Sequence, residues 1–106
     1  MENVRIEQLL KLLEQEPDDL FLNYALGLEY AKDLNSPADA ESQFKMVLNI
    51  DKNYLAAYYQ LGQLFEKVER PAEALEFYKE GLALARLQRN NKAINEFGEA
   101  VFLLED

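Results

Sequence analysis

The chain has 106 residues, about half of them apolar, and carries a formal net charge of −9 from 20 acidic and 11 basic side chains. That length suits one domain with one core, and the acidic balance argues against a nucleic-acid or anionic-membrane binder, whose grip depends on clustered Lys and Arg. With no His, Cys, Thr or Trp, and Ser36 and Ser42 as its two serines, the inventory for catalysis is nearly empty.

The elements follow in chain order. Val4, Ile6, Leu9, Leu10, Leu12 and Leu13 recur at helical spacing and predict a first helix over 3–15. Its start mixes Glu2, Arg5 and Glu7 with these apolar residues and lacks the basic start and compact apolar centre of a secretory signal. A cytoplasmic protein is the expectation, and a chain without cysteine fits a reducing compartment. Pro17 then precedes Asp18 and Asp19, read as a helix cap, and a second helix over 19–33. Ser36, Pro37 and Asp39 supply a capping hydroxyl, a first-turn proline and an early carboxylate for a third helix over 37–50. Leu61, Leu64, Phe65 and Val68 mark a fourth over 54–68, Pro71 opens a fifth over 71–88, and a sixth covers 91–104. Arg86, Arg89 and Lys92 cluster near the end of the fifth helix, where cations suit the dipole. No stretch alternates as a strand would, and no apolar run approaches the roughly 18 residues of a membrane span.

Laying the chain over itself exposes a repeat. The segment Tyr24-Ala25-Leu26-Gly27-Leu28-Glu29-Tyr30 aligns with Tyr59-Gln60-Leu61-Gly62-Gln63-Leu64-Phe65 at an offset of 35 (62 − 27). Downstream, Pro37 matches Pro71, Ala40 matches Ala74 and Phe44 matches Tyr78, each at an offset of 34 (71 − 37, 74 − 40, 78 − 44). The one-residue difference puts a small insertion in the turn from Asp33 to Ser36, where length changes are cheap.

A period near 34, with Leu-Gly and then an aromatic in one helix and a small residue, an aromatic and a small residue in the next, resembles the tetratricopeptide repeat. The first copy carries Asn23 at the family's large position, then Leu26, Gly27 and Tyr30, followed by Ala40, Phe44 and Val47. The second carries Tyr58, Leu61, Gly62 and Phe65, followed by Ala74, Tyr78 and Gly81. The family's closing proline is represented by Pro17 ahead of the first copy, but its later equivalents are Lys52 and Arg86. Without a breaker at Arg86 the fifth helix is expected to run on to about Gln88. Ile94, Phe97, Gly98 and Val101 repeat first-helix spacing with no second helix after them.

The resemblance implies an all-α fold, an α-α superhelix of about six helices in a single 1–106 domain. Residues 1–19 would form an N-terminal helix and junction, 20–54 the first repeat, 55–90 the second and 91–106 a C-terminal capping helix. Repeat arrays need such caps because each pair buries its apolar face against neighbours. It also implies a scaffold or adaptor that holds a peptide segment or partner protein on its concave face, with no catalysis, cofactor or metal. The positions that carry over are Phe21, Tyr24, Leu28 and Lys32 from the first copy and Ala56, Tyr59, Gln63 and Glu66 from the second, with Lys92, Asn95, Glu99 and Phe102 extending the surface. Tyr24, Leu28 and Gln60 stand where members that clamp acidic chaperone tails present Lys and Asn. The expected partner is therefore an apolar segment with a basic residue near Glu66 or Glu99. Two alternatives stay open: Phe21, Tyr24 and Tyr59 pack against the capping helices, or the ends left apolar by Leu9, Leu13, Phe97, Phe102 and Leu103 pair two copies as a homodimer.

Overall fold

A computed structural model of the chain describes residues 3–33 and 36–105. They form six helices, α1 (Val4–Gln15), α2 (Leu20–Ala31), α3 (Pro37–Ile50), α4 (Leu55–Lys67), α5 (Pro71–Gln88) and α6 (Asn91–Leu104). The all-α fold read from the periodicity is the fold observed, and α5 does continue through Arg86 to Gln88. Among the described residues no helix is long and apolar enough to cross a membrane.

The helix starts have local causes. Asn3, Asp19 and Asn90 each accept a hydrogen bond from the backbone N–H three residues on, at 3.1, 2.9 and 3.1 Å. Each side chain satisfies one of the donors that a helix leaves without an internal partner. Helices α3 and α5 have no side-chain cap bond and begin instead on Pro37 and Pro71, whose missing N–H costs nothing there. Two of the reversals also follow from backbone chemistry. Glu69 and Arg89 adopt left-handed φ values of 60° and 55°, and the residues after them, Arg70 and Asn90, donate back to Phe65 and Ala85 at 2.8 and 3.0 Å. This six-to-one closure satisfies carbonyls at the ends of α4 and α5. The insertion expected at Asp33 to Ser36 falls on Leu34 and Asn35, which lie outside the described residues.

The chain divides into two compact units, Met1–Lys52 and Asn53–Asp106. In the first, α1 packs on α2 and α2 on α3; in the second, α4 packs on α5 and α5 on α6. The first core is Leu9, Leu26, Ala40, Phe44 and Val47, and the second is built on Ala57, Leu61, Leu64, Phe65, Ala74, Tyr78, Ala85 and Phe97. Burying each large side chain among these stabilises the fold by roughly 1.5–3 kcal/mol.

Glycines set the helix spacing. A Cβ on Gly27 would stand 2.6 Å from the Phe44 ring, and one on Gly62 or Gly81 would press under 3.0 Å into the rings of Tyr78 or Phe97. The missing side chain is thus the seat of an aromatic ring from the next helix, the close approach that ridge-and-groove packing rewards. Asn23 replaces the large residue of the repeat for a different reason. Buried at the start of α2, its amide donates to the Pro17 and Asp19 carbonyls at 3.0 and 2.8 Å and its oxygen accepts from Gln43 of α3, so one polar side chain ties junction, α2 and α3 together.

The other buried polar group in the first unit is Glu29 of α2. Arg5 of α1 reaches one carboxylate oxygen at 2.9 Å and Lys32 the other at 3.1 Å. A buried carboxylate without such partners would be strongly destabilising, so this pairing fixes where α1 lies on α2.

Candidate functional site

In the second unit a cleft of about 430 Å³ opens between α4 and α6. Tyr59, Gln63 and Glu66 line it from α4, and Glu96, Glu99, Ala100 and Leu103 from α6. The spacing explains why these residues share one opening. Positions 59, 63 and 66, like 96, 99, 100 and 103, recur at three and four and so lie on one face of their helix.

Tyr59 stands between two buried rings. It tilts against Tyr78 of α5 at a centroid distance of 5.6 Å and meets Phe97 of α6 edge-on at 5.5 Å. Half-buried, it is both packing residue and cleft wall. Beneath it, the fully buried Tyr78 extends its hydroxyl toward the cleft, accepting from the Gln63 amide at 3.1 Å and donating to a Glu66 oxygen at 2.5 Å. Burial, reinforced by the hydrogen bond to Glu66 and that carboxylate's charge, pushes the Tyr78 pKa well above the usual phenol value. The hydroxyl therefore stays protonated and works as a donor that fixes Glu66 at the rim. Burial also raises the pKa of Tyr58, with the nearby Glu80 charge adding to it.

Of the residues that the resemblance assigns to partner binding, the structure brings Tyr59, Gln63 and Glu66 together with Glu99. Ala56 is half-buried one turn before Tyr59 on α4. In the first unit, Phe21 projects from α2 with 73% of its surface exposed, whereas Tyr24 packs against Phe44 at 5.9 Å and Leu28 is half-buried. Lys32 stands past the end of α2 as its C-cap and is engaged with Glu29. On α6, Lys92, Asn95 and Phe102 are exposed but do not line the cleft. Glu96, Ala100 and Leu103 line it without having been assigned to the binding surface from the sequence, although the stripe 96, 99, 100, 103 is itself a helical-spacing signal.

The packing positions behave as a set. Leu26, Gly27, Ala40, Phe44, Leu61, Gly62, Phe65, Ala74, Tyr78 and Gly81 are buried, while Tyr30 and Tyr58 are half-buried. Phe65 also stacks on Phe77 at 5.5 Å with an interplanar angle of 4°, and Arg70, held by two 2.6 Å bonds to Glu73, lies 4.6 Å over the Phe65 ring. Among the described residues, no group of His, Cys, Asp or Glu side chains converges as metal ligands would.

No protein-family model matches the sequence, and no curated protein matches it either. Solved structures do match. The solution structure of a tetratricopeptide repeat domain protein from Salinibacter ruber superposes with a TM-score of 0.76 at 32% identity, covering 84% of this chain and 89% of that one. A crystal structure of a tetratricopeptide repeat domain protein from Salinibacter ruber gives 0.70 at 30% identity over 81% and 96% of the two chains. A Bordetella parapertussis protein solved in solution gives 0.82 at 25% identity over 98% and 89%. With a third of its residues shared over most of both chains, on one helical fold, this protein belongs to the tetratricopeptide repeat family and is a protein–protein interaction module.

Proposed function

We propose that the cleft between α4 and α6 takes a basic side chain from an extended segment of a partner protein, with an apolar neighbour of that side chain resting on Ala100 and Leu103. The observation that carries this is the arrangement of the walls: Glu66, Glu96 and Glu99 surround an opening whose other surfaces are the Tyr59 ring, Ala100 and Leu103. Three carboxylates over an aromatic ring suit a guanidinium or ammonium group, which gains charge attraction and a cation–π contact together. They penalise an acidic segment by like-charge repulsion, so the same walls supply selectivity. The formal charge of −9 extends that preference into solution by steering basic segments toward the molecule.

The test is a peptide array of Arg- and Lys-bearing segments, each with Leu beside the cation, set against the same segments with Glu in place of the cation. Binding is expected to favour the basic members by about tenfold or more, as one or two desolvated charge contacts would give. Glu96→Lys with Glu99→Lys, both on the exposed side of α6, should then reverse the ranking. Equal binding of both peptide sets, or a ranking that survives the charge reversal, would rule the cleft out.

A further inference from the structure

The hydrogen bonds along the α4 wall of the cleft run in one direction. Tyr78 has one hydroxyl proton and gives it to Glu66 Oε2 at 2.5 Å, so toward Gln63, at 3.1 Å, its oxygen is the acceptor. That settles which end of the Gln63 amide meets Tyr78: the nitrogen donates there, and the amide oxygen is left over. Glu66 is placed in the same way, with Oε2 on the Tyr78 proton and Oε1 at the other end of the carboxylate. Neither Gln63 Oε1 nor Glu66 Oε1 has a hydrogen-bond partner among the described residues. Both side chains line the cleft, three residues apart on one face of α4, with Tyr59 one turn before them. The wall thus presents two neighbouring acceptors beside an aromatic ring, each fixed from behind by the same buried hydroxyl.

We propose, resting on the cleft as a site for a basic side chain of a partner segment, that it selects arginine over lysine. The guanidinium bridges Gln63 and Glu66 beside the Tyr59 ring, and Tyr78 is the positioning residue that sets the preference without touching the partner. Guanidinium and ammonium are both cations, but they offer protons differently. The guanidinium holds its N–H groups in a rigid planar fork, whereas the ammonium is a compact point whose donors rotate. A fixed pair of acceptors rewards the fixed fork, because less freedom is lost for each bond formed. A guanidinium also sits well over an aromatic ring, as Arg70 does at 4.6 Å from the Phe65 centroid in this same unit. Tyr78 has none of its surface exposed, so it acts on a ligand through Gln63 and Glu66. Burial and the bond to Glu66 keep its proton in place well past the usual phenol range, so the direction of the two bonds holds at neutral pH. Lysine still gains the charge attraction of Glu66, Glu96 and Glu99 but has no fork to span the two acceptors.

Fluorescence-anisotropy titration of the whole chain against labelled Leu-Arg, Leu-Lys and Leu-Glu segments provides the test. The wild-type chain should bind the arginine segment about tenfold more tightly than the lysine segment, as one further hydrogen bond would give, and both more tightly than the glutamate segment. Tyr78→Phe keeps the buried ring on Gly62 but frees Gln63 and Glu66 to turn. Gln63→Met removes one acceptor and leaves the bond from Tyr78 to Glu66. In each variant the arginine-to-lysine ratio should fall to about twofold or less. A merely structural role for Tyr78 would weaken both segments by the same factor and leave the ratio where it was. Circular dichroism checks helicity, and Gln63→Met, a change at the cleft wall, decides the matter if Tyr78→Phe does not fold. Lysine binding as well as arginine, with both ahead of glutamate, overturns the arginine preference and leaves the basic-side-chain site standing. Equal binding of all three overturns both. A ratio that survives in Gln63→Met or in folded Tyr78→Phe also overturns the proposal, since the preference then comes from the Tyr59 ring. So does a folded variant that binds neither basic segment, because its residue then serves the grip on any cation.

Discussion

The Tyr78 hydroxyl joins three jobs in one atom: it ends a fully buried ring, accepts from Gln63 and donates to Glu66 at the rim of the cleft. Replacing it by phenylalanine keeps the ring on Gly62 and removes only the hydroxyl, at a cost of about 1 kcal/mol because Gln63 and Glu66 can turn to water. The pH dependence is the more specific signature. Burial, then Glu66, raises the folded pKa of Tyr78 above the unfolded value near 10. Its contribution is fully present below about pH 10 and is lost as pH climbs toward the folded value, because the unfolded chain gives up its proton first. Tyr58, also shifted upward, acts in the same direction. Denaturant titrations at several pH values should show stability declining above pH 10 with a slope of up to about 1.4 kcal/mol per pH unit for each shifted tyrosine. In Tyr78→Phe that decline should be shallower, and an identical slope would mean that the hydroxyl does not hold its proton in the fold. The position of Tyr78 was legible from its match to Phe44 at the repeat offset. Its hydrogen bonds were not, because they depend on the register of α5 against α4, across 12 and 15 residues of chain.

At the scale of the element, one substitution has opposite signs at two equivalent-looking glycines. In an exposed helix interior, alanine is more favourable than glycine by about 0.8–1 kcal/mol. At Gly62 that gain is outweighed, since the new methyl would lie under 3.0 Å from the Tyr78 ring, itself immobile among buried neighbours. Overpacking of this kind costs about 1–3 kcal/mol. At Gly98 nothing opposes the gain. Chemical denaturation at low protein concentration should therefore find Gly62→Ala destabilised and Gly98→Ala stabilised by about 1 kcal/mol, and a common sign would contradict the seat geometry. The helices were legible because Pro17, Pro37 and Pro71 punctuate the chain and the leucine and aromatic spacing is helical between them. Both Leu-Gly pairs, at 26–27 and 61–62, were legible as packing signatures because the aromatic partners recur at nearly fixed distance downstream. Gly98 carried the same spacing after Phe97, but no aromatic follows it at that distance, and nothing stands within 4 Å of its Cβ position. Glu96, Ala100 and Leu103 escaped assignment to the cleft for a related reason. The repeat pattern aligns α6 as a first helix, yet the side it turns toward α4 depends on how it rests on α5.

Over the whole molecule, the acidic excess sets two responses to salt in opposition. The described ion pairs, Arg5–Glu29, Lys32–Glu29, Lys45–Glu41, Arg70–Glu73 and Lys79–Glu105, are mostly at the surface, where each contributes about 0–1 kcal/mol. A net charge of −9 leaves many carboxylates facing one another across a small surface, and their repulsion opposes compaction. Added salt shortens the reach of charge interactions from about 10 Å at 0.1 M to a few ångström at molar concentration, weakening repulsion over the whole surface and a handful of attractive pairs with it. Repulsion is the larger sum, so the unfolding midpoint should rise by about 2–5 °C between low salt and 0.5 M sodium chloride. The same screening acts against a basic segment approaching Glu66, Glu96 and Glu99, and its affinity should fall over that interval. Two measurements on one salt series, thermal unfolding by circular dichroism and peptide titration by fluorescence anisotropy, are thus expected to move in opposite directions. If affinity holds constant while stability rises, the peptide is gripped by apolar contact alone and the carboxylates of the cleft serve only to keep Tyr78 in place.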